Sequence, residues 1–211
     1  MRLAVFGATG GTGRSVIDQA LAAGDKVTAL ARDAAALSDV AGEIDIVQGD
    51  VLDPDAVART VAGSDVVVSA LGIGMHRHAT TVYSQGTANI LDAMRTEGTG
   101  RLLVVSTSSL EVPSPRRVAE WALAKWVLHN ILRKPYADMA VMERRIRESD
   151  VDWTLVRAAR LTKAGVTGTY RTARNEKLRG CWSISRADVA HFMVTHVHDS
   201  ETFRATIEIA Y

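Results

Sequence analysis

The chain reads as an α/β protein built on one doubly wound, mostly parallel sheet, and three observations predict it. A short apolar run, Leu3 to Phe6, breaks into Gly7, Gly10 and Gly13 and then opens into a helical pattern carried by Val16, Ile17, Ala20 and Leu21. Strand-like and helix-like stretches alternate from there onward, as βαβ units require. The run Asp65 to Leu71 is almost continuously apolar, as a strand must be when a parallel sheet buries it on both faces. With 211 residues, 47% of them hydrophobic, the chain is long enough for one well-buried domain and short for two, so a single domain over residues 1–211 is expected.

The opening stretch is a strand, a tight turn and a helix start. Glycines let the backbone come close to a bound group, and the unpaired N–H groups and dipole of the helix start favour a phosphate. The spacing Gly-x-x-Gly-x-x-Gly departs from the Gly-x-Gly-x-x-Gly fingerprint, but its place at the head of the alternation points to a pyrophosphate cradle. Gly24 then caps the helix, and Lys26 to Ala31 forms the second strand of a βαβ unit. At the end of that strand an acidic residue binds a ribose 2′-hydroxyl, whereas an arginine accommodates a 2′-phosphate. Here the residue is Arg32, and Arg14, just inside the first helix, is placed to assist it; both favour NADP(H) over NAD(H). Asp33 precedes three alanines and reads as the cap of the next helix.

Ile44 to Gln48 is the third strand, with Asp50 beyond its carboxyl end on the adenine side. Asp53 caps a helix that has Pro54 in its first turn and Gly63 at its end. After the fourth strand, Gly72 and Gly74 allow close approach to a ligand; His76 and His78 follow, without a third ligand at metal-binding spacing, so no metal is expected. Thr80 or Thr81 caps a helix running to about Glu97, and Arg101 to Val105 is the fifth strand. It ends in Ser106-Thr107-Ser108-Ser109, hydroxyls at the crevice where open α/β sheets bind ligands, and at least one is expected to face a nicotinamide.

Pro113 and Pro115 mark a turn before a helix from Val118 to Leu132, whose Trp121 and Trp126 read as core. Pro135 breaks that helix, and Tyr136 to Ser149 forms another with a charged face that includes Glu143 and Arg147. Trp153 to Arg157 is the sixth strand. A basic, irregular segment over about 157–185, with Arg160, Lys163, Arg171, Arg174, Lys177 and Arg179, is expected over the mouth of the sheet. A helix from about Arg186 to Val197 and a seventh strand, Thr206 to Ala210, close a sheet of expected order 3-2-1-4-5-6-7.

Charge and cysteine usage narrow the partners. The net charge of +1, from 25 basic and 24 acidic residues, gives no global field for nucleic acid or an anionic membrane. Cys181 stands alone, which excludes an intrachain disulfide and a thiolate metal cluster and fits a reducing compartment. No signal-peptide pattern opens the chain, and no uncharged run reaches the roughly 18 residues of a membrane span, so a cytoplasmic location is expected.

Assembled, these motifs resemble the atypical short-chain dehydrogenase/reductases, in particular the group around biliverdin-IXβ reductase (flavin reductase) and the NmrA-like proteins. The resemblance is carried by Phe-Gly-Ala-Thr-Gly-Gly-Thr-Gly at 6–13, Ala-Arg-Asp at 31–33, Gly-Asp-Val-Leu at 49–52, Val-Ala-Gly-Ser-Asp-Val-Val at 61–67, Thr-Thr-Val-Tyr-Ser-Gln-Gly at 80–86, Ser-Thr-Ser at 106–108, Arg-Glu-Ser at 147–149 and Ile-Ser-Arg-Ala-Asp-Val-Ala-His-Phe-Met at 184–193. It implies a Rossmann-type fold in which Gly7 and the stretch Thr9, Gly10, Gly11, Thr12, Gly13 and Arg14 cradle the pyrophosphate. Arg32 then meets the adenosine phosphate, Asp50 and Val51 line the adenine, and Ala70, Leu71 and Gly72 flank the cofactor. By the same resemblance Ser108 matches a serine placed beside the nicotinamide in the flavin and biliverdin reductases, and Ser106 and Thr107, from their place at the strand end, are expected to bind the cofactor.

Three departures bear on activity. The superfamily's Tyr-x-x-x-Lys is missing: Tyr83, Tyr136, Tyr170 and Tyr211 have no lysine four residues later, and Trp121, four before Lys125, cannot act as a phenolic acid. Arg160 aligns with a histidine on the substrate side of the biliverdin-type reductases, and Ala158 stands where many relatives have proline. Hydride transfer to a conjugated acceptor such as a flavin, quinone or tetrapyrrole can draw its proton from water and needs no Tyr-Lys pair. The expected activity is therefore an NADPH-dependent oxidoreductase, with Ser108 as polarising donor and Arg160, with Arg157 and Arg174, as anion clamp for a small-molecule acceptor. The alternative is a non-catalytic, NmrA-like NADP(H) sensor acting through a protein partner.

Overall fold

The structure is a computed structural model that describes residues 1–74, 80–110 and 133–211. The strands are β1 (Arg2–Phe6), β2 (Lys26–Ala31), β3 (Asp45–Gln48), β4 (Val66–Ser69), β5 (Arg101–Thr107), β6 (Asp152–Ala158), β7 (Arg160–Thr162), β8 (Arg171–Arg174), β9 (Ser183–Ser185) and β10 (Ala205–Ala210). The helices are α1 (Gly11–Ala22), α2 (Pro54–Val61), α3 (Val82–Glu97), α4 (Arg133–Arg147) and α5 (Arg186–Thr195). The sheet runs β3-β2-β1-β4-β5-β6-β10-β8, parallel throughout except for β8, which pairs antiparallel with β10. Its first seven strands keep the order expected from the sequence, and the chain switches direction at β1/β4, where the crevice of such a sheet opens.

Two hydrophobic clusters, one on each face, hold the sheet. The first joins Leu3, Val5, Val16, Ile17 and Ala20 to Val189, Phe192 and Met193, so that α1 and α5 cover one face. The second joins Phe6, Val57, Ile90, Met94, Met142, Ile146 and Leu155, so that α2, α3 and α4 cover the other. Burying each such aliphatic or aromatic side chain contributes roughly 1.5–3 kcal/mol. The helix starts follow local rules: Asp53 accepts from the Asp55 N–H with Pro54 in the first turn, and Ser185 accepts from the Asp188 N–H. Asp33 caps a short 3₁₀ turn, Ala34–Leu37, in the same way.

The structure differs from the sequence reading in three places. β4 ends at Ser69, so Ala70 and Leu71 leave the sheet. α4 starts at Arg133 with Pro135 inside its first turn, where proline's missing N–H costs nothing. The segment expected to be irregular carries three strands: β7 and β9 pair parallel with each other, and β8 adds an eighth strand to the sheet. Arg-Thr-Ala-Arg on that exposed edge pairs through its backbone, and without an apolar alternation it gives no sequence signal. The helix read over Val118–Leu132, with Trp121, Trp126 and Lys125, lies outside the described residues, as do Pro113, Pro115, His76 and His78. Among the described residues no helix is long and apolar enough to cross a membrane.

Candidate dinucleotide and acceptor site

The turn between β1 and α1 is shaped for close approach. Gly7 has φ +76°, and a Cβ built on it would overlap the Ala70 carbonyl; a Cβ on Gly13 would overlap the Gly7 carbonyl. Helix α1 starts at Gly10 with no side-chain cap, so its first-turn N–H groups are left for a ligand. This is a cradle that side chains would fill, and it fits a pyrophosphate.

From this turn a cavity of about 920 Å³ runs along the carboxyl edge of the sheet. Gly7, Thr9, Gly10, Gly11 and Thr12 line it at the centre, and Arg32, Asp50 and Val51 line the β2/β3 end. Ala70, Leu71 and Gly72 lie between, and Ser106 and Thr107 line the β5 end. The cofactor residues read from the sequence thus converge on one cavity, with two exceptions. Gly13 sits behind the turn against Gly7, and Arg14 turns away: its guanidinium holds Asp39 through two bonds of 2.7 and 2.6 Å and Asp18 at 2.9 Å. Those carboxylates push the Arg14 pKa further up, Asp39 most strongly. Arg32 makes no ion pair among the described residues and is exposed at the cavity wall.

Several lining residues are not among the cofactor or acceptor residues expected from the sequence. Tyr83 and Met139, from α3 and α4, wall the cavity together with Leu161 of β7 and Arg186 of α5. Tyr83 is buried, which raises its phenol pKa, and its oxygen accepts the Ile73 N–H at 3.3 Å. Arg186 lies across the glycine turn: a Cβ on Gly11 would stand 2.7 Å from its Cδ, and its guanidinium donates to the Thr162 carbonyl at 3.0 Å. The Ile-Ser-Arg-Ala-Asp stretch was visible in the sequence, but nothing in its spacing brings α5 to α1.

The residues proposed for the acceptor do not gather in one place. Ser108 opens a 3₁₀ turn just beyond the cavity lining; its carbonyl accepts from Lys177 Nζ, and burial raises the pKa of the Cys181 thiol beside it, which Ser108 offsets only in part. Arg160 is exposed on β7, beside Leu161 of the cavity wall, and Arg174 is exposed on the edge strand β8. Arg157 is a correction to the expected clamp. Its side chain is buried in β6 and committed to Glu143, with Nε 3.0 Å from Oε1 and a terminal nitrogen 2.7 Å from Oε2. Such a charge is held in place by its partner and is not offered to an exchangeable anion. Among the described residues no group of three His, Cys, Asp or Glu is placed to hold a metal.

An open parallel sheet with a direction switch at β1/β4 and an uncapped, glycine-rich helix start facing the crevice defines a dinucleotide-binding fold of the Rossmann class. Residues 7–200 match the NAD(P)H-binding family, and the chain belongs to it. Among solved structures it is similar over its whole length to ChuY, an anaerobilin reductase from Escherichia coli O157:H7, with a TM-score of 0.79, 20% identity and 97% of that chain covered. It is also similar to a short-chain dehydrogenase/reductase from Veillonella parvula in complex with NADP, with a TM-score of 0.76, 18% identity and 100% of this chain and 94% of that one covered. Among curated proteins, reductase pytE of Aspergillus terreus is 27% identical over 260 residues, covering 99% of this chain and 97% of its own length. An uncharacterised Mycobacterium tuberculosis protein is 34% identical over 128 residues, 60% of this chain, and that match spans 14% of the relative's length. Oxidoreductase-like NAD(P)H binding is thus common ground between the sequence, the site and the relatives.

Proposed function

We propose that the protein is an NADPH-dependent reductase that passes hydride to a small conjugated, anionic acceptor of the flavin, quinone or tetrapyrrole type. The observation that carries the reading is the continuity of one cavity from Arg32 and Asp50, past the glycine turn, to the hydroxyl-bearing end of β5. A dinucleotide laid along it with adenosine at Arg32 brings its other end to Ser106 and Thr107. Likeness to ChuY and to the Aspergillus reductase favours reduction as the reaction class, a support drawn from analogy.

A bound nicotinamide cofactor supplies the hydride, so the chain's own work is to hold, orient and shield. Gly11 and Thr12 present backbone N–H groups to the pyrophosphate, the Gly10 N–H being spent on the Gly7 carbonyl at 3.0 Å within the turn, and Arg186 adds a cation across the same turn. Exposed Arg32 meets the 2′-phosphate, which gives the preference for NADP(H). Tyr83, Met139 and Leu161 exclude water from the reacting end. Ser108 donates a hydrogen bond to the acceptor as charge develops on it, and Arg160, on the strand that walls the cavity, holds the acceptor's anionic group.

The test is a panel of FMN, quinones and linear tetrapyrroles with NADPH. A reductase shows NADPH oxidation that saturates in at least one acceptor. Ser108→Ala then lowers kcat more than NADPH affinity, and Arg160→Ala raises the acceptor KM. Failure of every acceptor with NADPH binding intact overturns the reading in favour of the sensor, in which cofactor binding changes affinity for a protein partner.

A further inference from the structure

Ser106 and Thr107 both line the β5 end of the cavity, but a buried carboxylate sets Ser106 apart. Glu143 of α4 is 2% exposed and reaches under the sheet edge to accept the Ser106 hydroxyl at 2.7 Å on Oε1. The same Oε1 accepts Arg157 Nε at 3.0 Å, while Oε2 accepts a terminal nitrogen of Arg157 at 2.7 Å and of Arg147 at 2.9 Å. The four acceptor positions of a carboxylate are thereby filled. Two guanidinium groups face one carboxylate, and although burial by itself would raise the Glu143 pKa, they and Ser106 bring it below its ordinary value.

An ionised, saturated carboxylate has no hydrogen to give, so the hydrogen between the two oxygens belongs to Ser106 and points at Glu143. What Ser106 offers a ligand is then lone pairs alone. We propose that Glu143 is a positioning residue that fixes Ser106 as a dedicated hydrogen-bond acceptor for the amide N–H of the nicotinamide carboxamide. The inference rests on the reading that this cavity holds a nicotinamide dinucleotide, and it goes beyond that reading by assigning a polarity to one point of the wall. It also separates the hydroxyls of this stretch by role: Ser106 receives a hydrogen bond from the cofactor, which leaves donation to the acceptor to Ser108.

The experiment compares NADP⁺ with its 3-acetylpyridine analogue, whose methyl ketone replaces the carboxamide and carries no N–H. Calorimetry gives both dissociation constants for the unaltered protein and for Ser106→Ala, Ser106→Thr and Glu143→Gln. The unaltered protein should favour NADP⁺ by about three- to tenfold, the worth of one net hydrogen bond. Ser106→Ala should bring the two within about twofold, and Ser106→Thr, which keeps the hydroxyl, should retain the preference. Glutamine at 143 can donate to Ser106 and release its hydrogen toward the ligand, so the preference should fall or invert toward the ketone. Discrimination that survives Ser106→Ala overturns the proposal, and so does an equal loss for both ligands in Glu143→Gln. If the unaltered protein binds both dinucleotides equally, this inference alone fails; if it binds neither, the reading of the cavity fails with it.

Discussion

The Arg14 guanidinium, just inside α1, grips Asp39 with two hydrogen bonds of 2.7 and 2.6 Å, and neither residue lines the crevice. A 2′-phosphate seeking Arg14 must displace a carboxylate already in place, whereas Arg32 stands at the cavity wall without an ion pair among the described residues. If the protein prefers NADP(H) as proposed, selectivity falls chiefly to Arg32. Arg32→Ala should weaken NADPH about ten- to a hundredfold, the loss of a charge-assisted contact of roughly 1.5–3 kcal/mol, and leave NADH little changed. Asp39→Asn should strengthen NADPH severalfold by releasing Arg14. Calorimetry with both cofactors checks this, and equal losses in Arg32→Ala would remove Arg32 from the selectivity.

The glycine turn should respond to substitution position by position. Gly13→Ala forces a methyl against the Gly7 carbonyl, within backbone that cannot swing aside. It should abolish dinucleotide binding and lower stability by about 1–3 kcal/mol, the range of overpacking. Gly72→Ala, with nothing within 4 Å of the added methyl, should leave the thermal midpoint unchanged. Melting curves and cofactor titrations on the two variants read the contrast.

No tyrosine is expected to be an essential acid. The Tyr83 oxygen accepts the Ile73 N–H at 3.3 Å, a long bond that orders the loop beside the cavity. Tyr83→Phe, Tyr136→Phe and Tyr170→Phe should each keep at least about a tenth of the turnover, since general acid catalysis contributes roughly 10²- to 10⁴-fold where it operates. A thousandfold loss at any one, in steady-state assays with a working acceptor, would reverse this.

Asp188 predicts an acid limb of stability. Burial would raise its pKa, but the Tyr211 hydroxyl at 2.7 Å and the N–H groups of Gly168 and Thr167 outweigh it and bring the pKa to about 2. A carboxylate with a depressed folded pKa stabilises the protein above its unfolded pKa, and that contribution is lost as the pH falls toward 2. Asp188→Asn should cost about 2 kcal/mol at pH 7 and progressively less between pH 4 and pH 2. Thermal melts of both proteins across that range measure the narrowing gap.

Much of this site was legible in the sequence because its cradle is local. Gly7 through Thr12 form one turn, and Arg32, Asp50 and Leu71 each come within two residues of the end of a strand of the crevice, so strand order alone brings them together. Side chains that enter from helices were not legible. Tyr83, Met139 and Arg186 reach the cavity through the packing of α3, α4 and α5, which no short spacing encodes. The fate of Arg157 was hidden for the same reason: in the sequence Glu143 belongs to a charged helical run, and only the packing of α4 under β5 and β6 turns it inward. The edge strand β8 was missed because its pairing with β10 is a backbone matter.

The placement of β10 has a consequence for how the chain is made. Strands β6 and β8 do not pair with each other; both wait for Ala205–Ala210, which the ribosome delivers after every other described strand. Until then β6 presents a bare row of N–H and C=O groups beside an apolar core, the kind of edge on which nascent chains associate. Chains stalled after α5 should therefore aggregate or recruit chaperones, and release of β10 should be the step that joins β6 to β8 and covers that edge.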